Sequence, residues 1–346
     1  MSRLAKRLLP FAAAIPLACV LDALCVGTAS AHVKWFCAYD VAGQPEGLEN
    51  VLCPDFEFLI GLSVLALMTG AVLEGTVLGT AVLRALDRVT RSVRENLEYI
   101  FRAGCAFFFI AIWGAGGILL TPELKTSSAL VGAIQLGIAA GMLSWRTMPL
   151  SAAGIFVLFG IGVWEYGVFH LADYPIFLGV AVYLALVGAQ TDFFGARPID
   201  LLRWAAGITL MWASIEKWAY PEWSYPLFIE HPGMSLGFTP DFFMRAAGAV
   251  EFALAFAVMW TPLVRRLGAM MLAAMFVSAV FQFGKIDLIG HSLIVIALVG
   301  IVADDGGKAA RLRDSWLLPF AYVASLAGFL ATYYAVHAAL FGTAIL

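Results

Sequence analysis

The sequence predicts an all-α polytopic membrane protein of about ten mature transmembrane helices, which follow an N-terminal signal segment. Hydrophobic residues make up 62% of the 346 residues and charged residues 13%, whereas soluble domains have roughly 45 to 50% apolar and about 25% charged residues. Apolar stretches close to 20 residues long recur along the chain, and this is the length that an α-helix needs to cross a bilayer. The net charge of −3, without a continuous basic stripe, argues against a nucleic-acid partner.

The first 31 residues have the features of a secretory signal peptide. Three basic residues precede an apolar run, which ends at an Ala-x-Ala cleavage sequence over residues 29–31. Pro16 and Asp22 interrupt the apolar run, so a retained first helix is the alternative. Either arrangement delivers His32 to the extracytoplasmic side.

The segment at residues 32–56 is predicted to be extracytoplasmic and contains Cys37 and Cys53. Because disulfides form and persist in oxidising compartments, we predict a bridge between these two cysteines. Two unpaired thiols are the alternative.

The predicted membrane segments are arranged as one helix, two four-helix units and one helix. The first helix and a basic cytoplasmic loop occupy residues 57–101, the two units occupy 102–192 and 193–303, and a linker with the last helix occupies 304–346. The candidate spans lie at residues 57–83, 102–120, 129–145, 150–170, 175–191, 203–220, 241–262, 267–283, 288–303 and 317–341.

Every second predicted loop is basic, as the positive-inside rule requires of cytoplasmic loops. We therefore predict a multi-pass protein of the inner (plasma) membrane, with the mature N-terminus and the C-terminus both extracytoplasmic. The basic residues of these loops are Arg84, Arg88, Arg91, Arg94, Arg146, Arg197, Arg265, Arg266, Lys308, Arg311 and Arg313.

The two four-helix units are related by an internal repeat. Where the second copy has Glu216 and Lys217, the first has Gly117 and Ile118, so chemistry is expected mainly in the second copy. The residues that recur at one common offset are Trp113, Pro122 and Glu123 in the first copy and Trp212, Pro221 and Glu222 in the second.

Glu251 is the strongest candidate for a functional residue inside the membrane. It lies about ten residues into a predicted helix and therefore roughly 15 Å deep, close to the bilayer midplane. Since an ionised carboxylate at this depth is costly, an intramembrane Glu indicates a function. The alternative is a protonated Glu that forms a hydrogen bond between helices.

Glu216 and Lys217 lie about one turn before the outer end of their predicted helix. Adjacent helical residues diverge by about 100°, so the two side chains cannot face the same neighbour. Glu216 is expected to be buried, and Lys217 either contacts the reacting group or extends to the membrane interface.

A further polar cluster is predicted at the outer end of the next helices. Asp287 and His291 are four residues apart and share a helix face, so the carboxylate can orient the imidazole or join it in binding a metal. Gln282 and Lys285 lie in the same cluster. We predict Gln282, Lys285 and Asp287 as cofactor-binding residues and Glu216, Lys217, Glu251 and His291 as catalytic residues.

Several histidines are candidate metal ligands on the outer side. Cleavage before His32 would give one residue both an imidazole and a free amine, a chelating pair that suits copper. Each histidine taken singly can instead be an ordinary hydrogen-bonded residue of the interface. The candidates are His32, His170, His291 and His337.

A series of residues in the second unit resembles the DoxX/DoxD-like membrane proteins. The series runs from Arg203 through Trp212, Glu216, Lys217 and Pro221 to Lys285, Asp287, Gly290 and His291. The resemblance implies a four-helix module with a role in redox reactions, which in some members is thiosulfate oxidation coupled to quinone and in others partnership with thiol- or superoxide-handling enzymes. The first unit resembles the family as a degenerate copy without the lysine.

Three functions are therefore expected as alternatives. The first is a DoxX-like redox component that passes electrons from an extracytoplasmic donor to the quinone pool, with Glu216 and Glu251 handling protons and Lys217 and His291 contacting the reacting group. The second is a membrane protein that binds or transports copper or another metal through His32 and the outer histidines. The third is a non-catalytic anchor or assembly partner. The expected partners are the lipid bilayer and an extracytoplasmic redox or metal-donor protein.

Overall fold

The computed structural model describes residues 33–306 and 317–345. The predictions for the signal segment, for His32 and for Lys308, Arg311 and Arg313 lie outside the described residues. Within these two ranges the chain is helical, and only isolated β-bridges occur besides helices and turns.

The α-helices are numbered here in chain order. They are α1 Leu48–Val51, α2 Pro54–Glu74, α3 Val77–Glu95, α4 Leu97–Ala115, α5 Ala129–Gly141, α6 Met148–Tyr166, α7 Val168–Leu171, α8 Pro175–Ala189, α9 Pro198–Ala219, α10 Tyr225–Glu230, α11 Pro240–Val258, α12 Pro262–Ala303 and α13 Leu318–Phe341. Short 3₁₀ helices lie at Val33–Trp35, Trp145–Thr147, Pro221–Ser224 and Pro232–Ser235.

Five helical segments are long and apolar enough to cross a membrane. They are α2, α4, α6 with the 3₁₀ turn before it, α12 and α13, and α5 and α8 are shorter apolar helices. The chain is therefore an all-α membrane protein, as the composition predicted. The count of ten spans stays a prediction.

Helix α12 turns back on itself at Gly284, whose φ of 72° and ψ of −145° are not helical. The two ends of α12 lie together, because an Arg265 Nη atom donates to the carbonyl of Asp304 at 3.0 Å and Arg266 Nε donates to the carbonyl of Val302 at 2.8 Å. A straight helix of 42 residues would separate its ends by about 63 Å. The chain therefore reverses at Gly284.

The predicted span at 57–83 is divided in the structure. Helix α2 ends at Glu74, and Thr76 begins α3 as its N-cap by accepting a hydrogen bond from the backbone N–H of Gly79 at 3.1 Å. The carboxylate of Glu74 accepts hydrogen bonds at the start of α12. Helix α3 is amphipathic and presents the predicted loop arginines Arg84, Arg88 and Arg91 on its exposed face.

Consecutive helices pack on each other within each unit, in the order α4, α5, α6, α8 and then α9, α11, α12. The units meet where α8 contacts α9 and where α4 contacts α12, while α2 and α13 pack against the second unit. The N-terminal segment and the loops that follow α4, α7 and α9 gather at one end of the bundle, the Lys34 end. Paired arginines, including Arg197, Arg265 and Arg266, occupy the opposite end, the arginine end.

Replacement of Gly284 by Ala is expected to destabilise the fold by about 1 to 3 kcal/mol, because this backbone conformation is adopted essentially by glycine alone. Gly328→Ala is the matched control, since Gly328 lies in α13 and a Cβ added there meets no atom within 4 Å. Thermal unfolding in detergent micelles should show a lower midpoint for Gly284→Ala only. Equal midpoints for the two variants would contradict a turn that requires glycine.

Candidate functional site

A cavity of about 80 Å³ lies toward the Lys34 end, between the two units. Glu216, Lys217, Glu251 and His291 all line it, together with Asp173 from the first unit. The structure thus brings the four predicted catalytic residues to one place. Of the predicted cofactor-binding residues, Asp287 is buried beside His291, whereas Gln282 and Lys285 are exposed at the Gly284 turn and do not line the cavity.

Lys34 is the residue of this site that the sequence analysis missed. Its buried Nζ donates hydrogen bonds to the carboxylate of Asp173 and, at 2.6 Å, to Oε1 of Glu216. The rings of Tyr39 and Trp223 lie 5.7 and 5.6 Å from the same nitrogen. Burial by itself lowers the pKa of Lys34, but the charges of Asp173 and Glu216 outweigh burial and raise the pKa, so Lys34 is a cation.

The N-terminal segment carries Lys34 into the bundle by packing its aromatic side chains on α12. The ring of Trp35 lies so close to Gly290 that a Cβ there would be 2.1 Å from a ring carbon, which only glycine avoids. Phe36 packs on Phe283 with ring centroids 5.1 Å apart. A single lysine between Val33 and these two aromatic residues is the sequence signal that indicates a buried ammonium.

Lys217 forms a second ion pair, with Glu251 of α11, at 2.8 Å. The exposed fractions of the two side chains are 14% and 6%, so both are largely buried in the protein. Glu216 and Lys217 thus contact different neighbours, as the 100° separation on the helix requires. The intramembrane Glu251 is a paired carboxylate.

His291 and Asp287 form a third polar pair, with Nδ1 of the imidazole 3.1 Å from a carboxylate oxygen. The imidazole packs between the rings of Trp35 and Phe276, at centroid distances of 4.6 and 4.5 Å. Asp287 is fully buried, and within the described residues neither its oxygens nor Nδ1 of His291 makes a well-aligned hydrogen bond. This pair therefore retains hydrogen-bonding capacity beside the cavity.

Glu123 and His170 are buried at the Lys34 end, Glu123 in the loop after α4 and His170 in α7. Burial raises the pKa of Glu123 to about 7 and lowers the pKa of His170 to about 4. The carboxylate oxygens of Glu123 make no well-aligned hydrogen bond to the described residues. His170 is therefore neutral, while Glu123 changes charge near neutral pH.

The three candidate metal ligands that the structure describes contact different sets of neighbours. His170 packs among tyrosine rings, His291 packs between Trp35 and Phe276, and His337 uses both ring nitrogens in contacts to Tyr220, Val41 and Thr343. Across residues 33–306 and 317–345, no group of three His, Cys, Asp or Glu side chains is placed to hold a metal ion. The predicted outer metal group is therefore not formed by these residues.

The predicted disulfide is absent, and Cys37 and Cys53 are both free thiols. Cys37 packs with Leu227 and Phe228 in the apolar cluster over the Lys34 end, whereas Cys53 is the N-cap residue of α2 and packs on the main core. Apolar packing thus draws the two cysteines into separate clusters. Burial also raises the pKa of the Cys37 thiol.

In comparisons with known proteins, no family model matches this chain, and no curated protein or solved structure matches it either. The resemblance of the second unit to the DoxX/DoxD-like proteins stays a prediction.

Lys217→Met is expected to destabilise the protein by about 3 to 5 kcal/mol, because it leaves Glu251 buried without its partner. In the double variant with Glu251→Gln much of this loss should be recovered. Unfolding in detergent micelles gives the coupling energy from the two single variants and the double variant. The partly exposed pair of Arg102 and Glu98 is the control and should couple by about 1 kcal/mol or less. Equal coupling in the two pairs would contradict a desolvated Lys217–Glu251 pair.

Glu123→Gln is expected to stabilise the protein at alkaline pH. The folded-state pKa of Glu123 is raised from 4.5 to about 7, so the contribution of this carboxyl to stability is fully present below 4.5 and is lost as the pH rises from 4.5 to 7. The amide carries no charge, and the advantage of the variant should therefore grow over this interval to at most about 3 kcal/mol. Unfolding midpoints across this pH range provide the measurement, with the exposed Glu165→Gln as control. A difference that is independent of pH would show that folding does not shift the pKa of Glu123.

Proposed function

We propose that this protein is a DoxX-like redox component of the inner (plasma) membrane, which passes electrons from an extracytoplasmic donor to a quinone bound in the cavity. The observation that carries this proposal is the convergence of Lys217, Glu216, Glu251 and His291 on one cavity with mainly apolar walls. Ionisable groups in an apolar, membrane-embedded site are costly and mark a functional site by default.

The walls of the cavity suit a flat ring that carries hydrogen-bond acceptors. Phe177 and Ile294 contribute apolar surface, and the imidazole of His291 lies among aromatic rings at the edge of the same space. The ammonium of Lys217 is a donor that can face a quinone carbonyl, and His291 can offer a ring N–H. Apolar walls with a few convergent polar groups are typical of small-molecule sites.

The carboxylates provide places for the protons of the reaction. Reduction of a quinone to a quinol takes up two electrons and two protons, and Glu216 and Glu251 line the cavity where those protons are needed. The resemblance to DoxX/DoxD-like proteins suggests a sulfur reductant as the donor. Two thiosulfate ions release two electrons when they form tetrathionate, and a dithiol releases two electrons and two protons when it forms a disulfide.

We place the Lys34 end on the extracytoplasmic side and the arginine end in the cytoplasm. The positive-inside rule supports this orientation, because the buried and loop arginines gather at one end of the bundle. Both described ends of the chain lie at the other, since the amide of Gln44 donates to the carbonyl of Ala344 at 2.9 Å. A soluble donor would then approach the cavity from the Lys34 end.

Ala213→Trp is expected to fill the cavity and to weaken quinone binding by at least tenfold, because Ala213 lines the cavity and is not one of its ionisable groups. Ile208→Trp, at an exposed position of the same helix, is the matched control. Binding of a short-chain ubiquinone to the purified chain in nanodiscs can be measured by equilibrium dialysis. Wild-type binding by Ala213→Trp would contradict the proposed site.

The same variants test turnover. Quinol formation from the short-chain ubiquinone, with thiosulfate or a dithiol as donor, should occur with the wild type and Ile208→Trp and be lost in Ala213→Trp. An active Ala213→Trp variant would place the reaction elsewhere.

A further inference from the structure

The lysines and the carboxylates that they contact beside the cavity do not balance in charge. His291 also lines the cavity, but it faces a carboxylate of its own, the buried Asp287, at 3.1 Å and can offset no more than that charge. Lys34 and Lys217 supply two positive charges, while Asp173, Glu216 and Glu251 supply three negative charges when all are ionised. None of these five side chains is more than 14% exposed. Since an unpaired buried charge costs several kcal/mol, the group requires one further positive charge.

The carboxylates that lack a full positive charge are Asp173 and Glu216. Glu251 forms its own ion pair with Lys217 at 2.8 Å. Asp173 and Glu216 instead share the Nζ atom of Lys34 and are therefore close to each other. Two carboxylates that share one site do not both ionise readily, and one of them holds a proton instead.

We infer that Asp173 and Glu216 form a dyad that binds one exchangeable proton, with Lys34 as its fixed counter-cation. Asp173 comes from the loop after α7 and Glu216 from α9, so the dyad joins the two units. Lys34 acts through these carboxylates and is a positioning residue. That this proton is used in quinone reduction rests on the function proposed above. That the dyad holds a proton is inferred from the ion pairs alone.

The other groups that face the dyad do not supply the missing charge. His170 is neutral, since burial lowers its pKa to about 4, and the tyrosines are neutral phenols. Glu123 adds a further negative charge once it ionises, which increases the deficit. These facing groups are Tyr39 from the N-terminal segment, Glu123 from the loop after α4, His170 from α7, Lys217 and Tyr220 from the end of α9, and Tyr333 from α13.

The dyad lies where a proton can pass between the outer loops and the cavity. Asp173 and Glu216 both line the cavity, and Glu123 interacts electrostatically with Lys34 and Asp173 from the loop on the outer side. Because the pKa of Glu123 is raised to about 7, its carboxyl can take up and release a proton near neutral pH.

Infrared difference spectroscopy of the purified full chain in H₂O and D₂O, without quinone or donor, tests this inference. At a pH where Glu123 is ionised, the wild type should show one buried protonated carboxyl band that shifts in D₂O. Asp173→Asn and Glu216→Gln should each lose the band, because the remaining carboxylate pairs with Lys34. Lys34→Met should show about twice the intensity, because both carboxyls become neutral, and Lys34→Arg should match the wild type.

The exposed Glu165→Gln variant is the control and should leave the band unchanged. A wild-type spectrum without the band, or a band that survives in both Asp173→Asn and Glu216→Gln, would overturn the inference. A band that appears only when Na⁺ is removed would identify a bound sodium ion instead. Size-exclusion profiles establish which variants fold. If either Lys34→Met or Glu216→Gln fails to fold, the other still tests the inference, because the band should become stronger in the first and disappear in the second. Failure of quinone binding would leave these results intact.

Discussion

The contact of Lys34 with Asp173 and Glu216 determines how the Lys34 end of this molecule is built. Charged groups in apolar surroundings must meet partners, and here each partner comes from a different part of the chain: the N-terminal segment, the first unit and the second unit. Loss of Lys34 would leave both carboxylates without their cation, and removing one partner of a buried ion pair costs about 3 to 5 kcal/mol. The same contact therefore fixes the position of the N-terminal segment and the boundary of the cavity.

The two ends of the bundle use buried charge differently. At the arginine end, Arg197 contacts both Asp200 and Asp304 through paired nitrogens, and Arg266 bonds to Asp87 and to a backbone carbonyl. Planar guanidinium groups with several aligned bonds make rigid structural pairs. At the Lys34 end the cations next to the cavity are lysines, and carboxylates outnumber them. An end whose carboxylates outnumber its cations is suited to exchange protons, whereas the arginine pairs at the other end hold the helices together.

The sequence identified the second-copy residues of the site because a charged residue in an apolar helix is visible without a structure. It did not identify Lys34, since the pairing of Lys34 with Asp173 and Glu216 depends on contact between segments far apart in the chain. The prediction of a disulfide between Cys37 and Cys53 failed for a related reason. An oxidising compartment permits a bridge, but a bridge also requires that the two Cβ atoms lie close together. Rules about chemistry select candidate residues, and only tertiary packing decides which of them meet.

The ion pair of Lys34 also links membrane insertion to assembly of the site. Lys34 follows the predicted signal segment by only three residues, and its partners lie at the end of the bundle that the positive-inside rule places outside. A chain whose N-terminal segment stayed in the cytosol would leave Asp173 and Glu216 without a counter-cation and Gly290 without the ring of Trp35. The cavity would then lack one wall and its fixed positive charge. In the proposed orientation, translocation of this short segment is therefore a condition for a complete site, and the buried ammonium is consistent with the predicted topology.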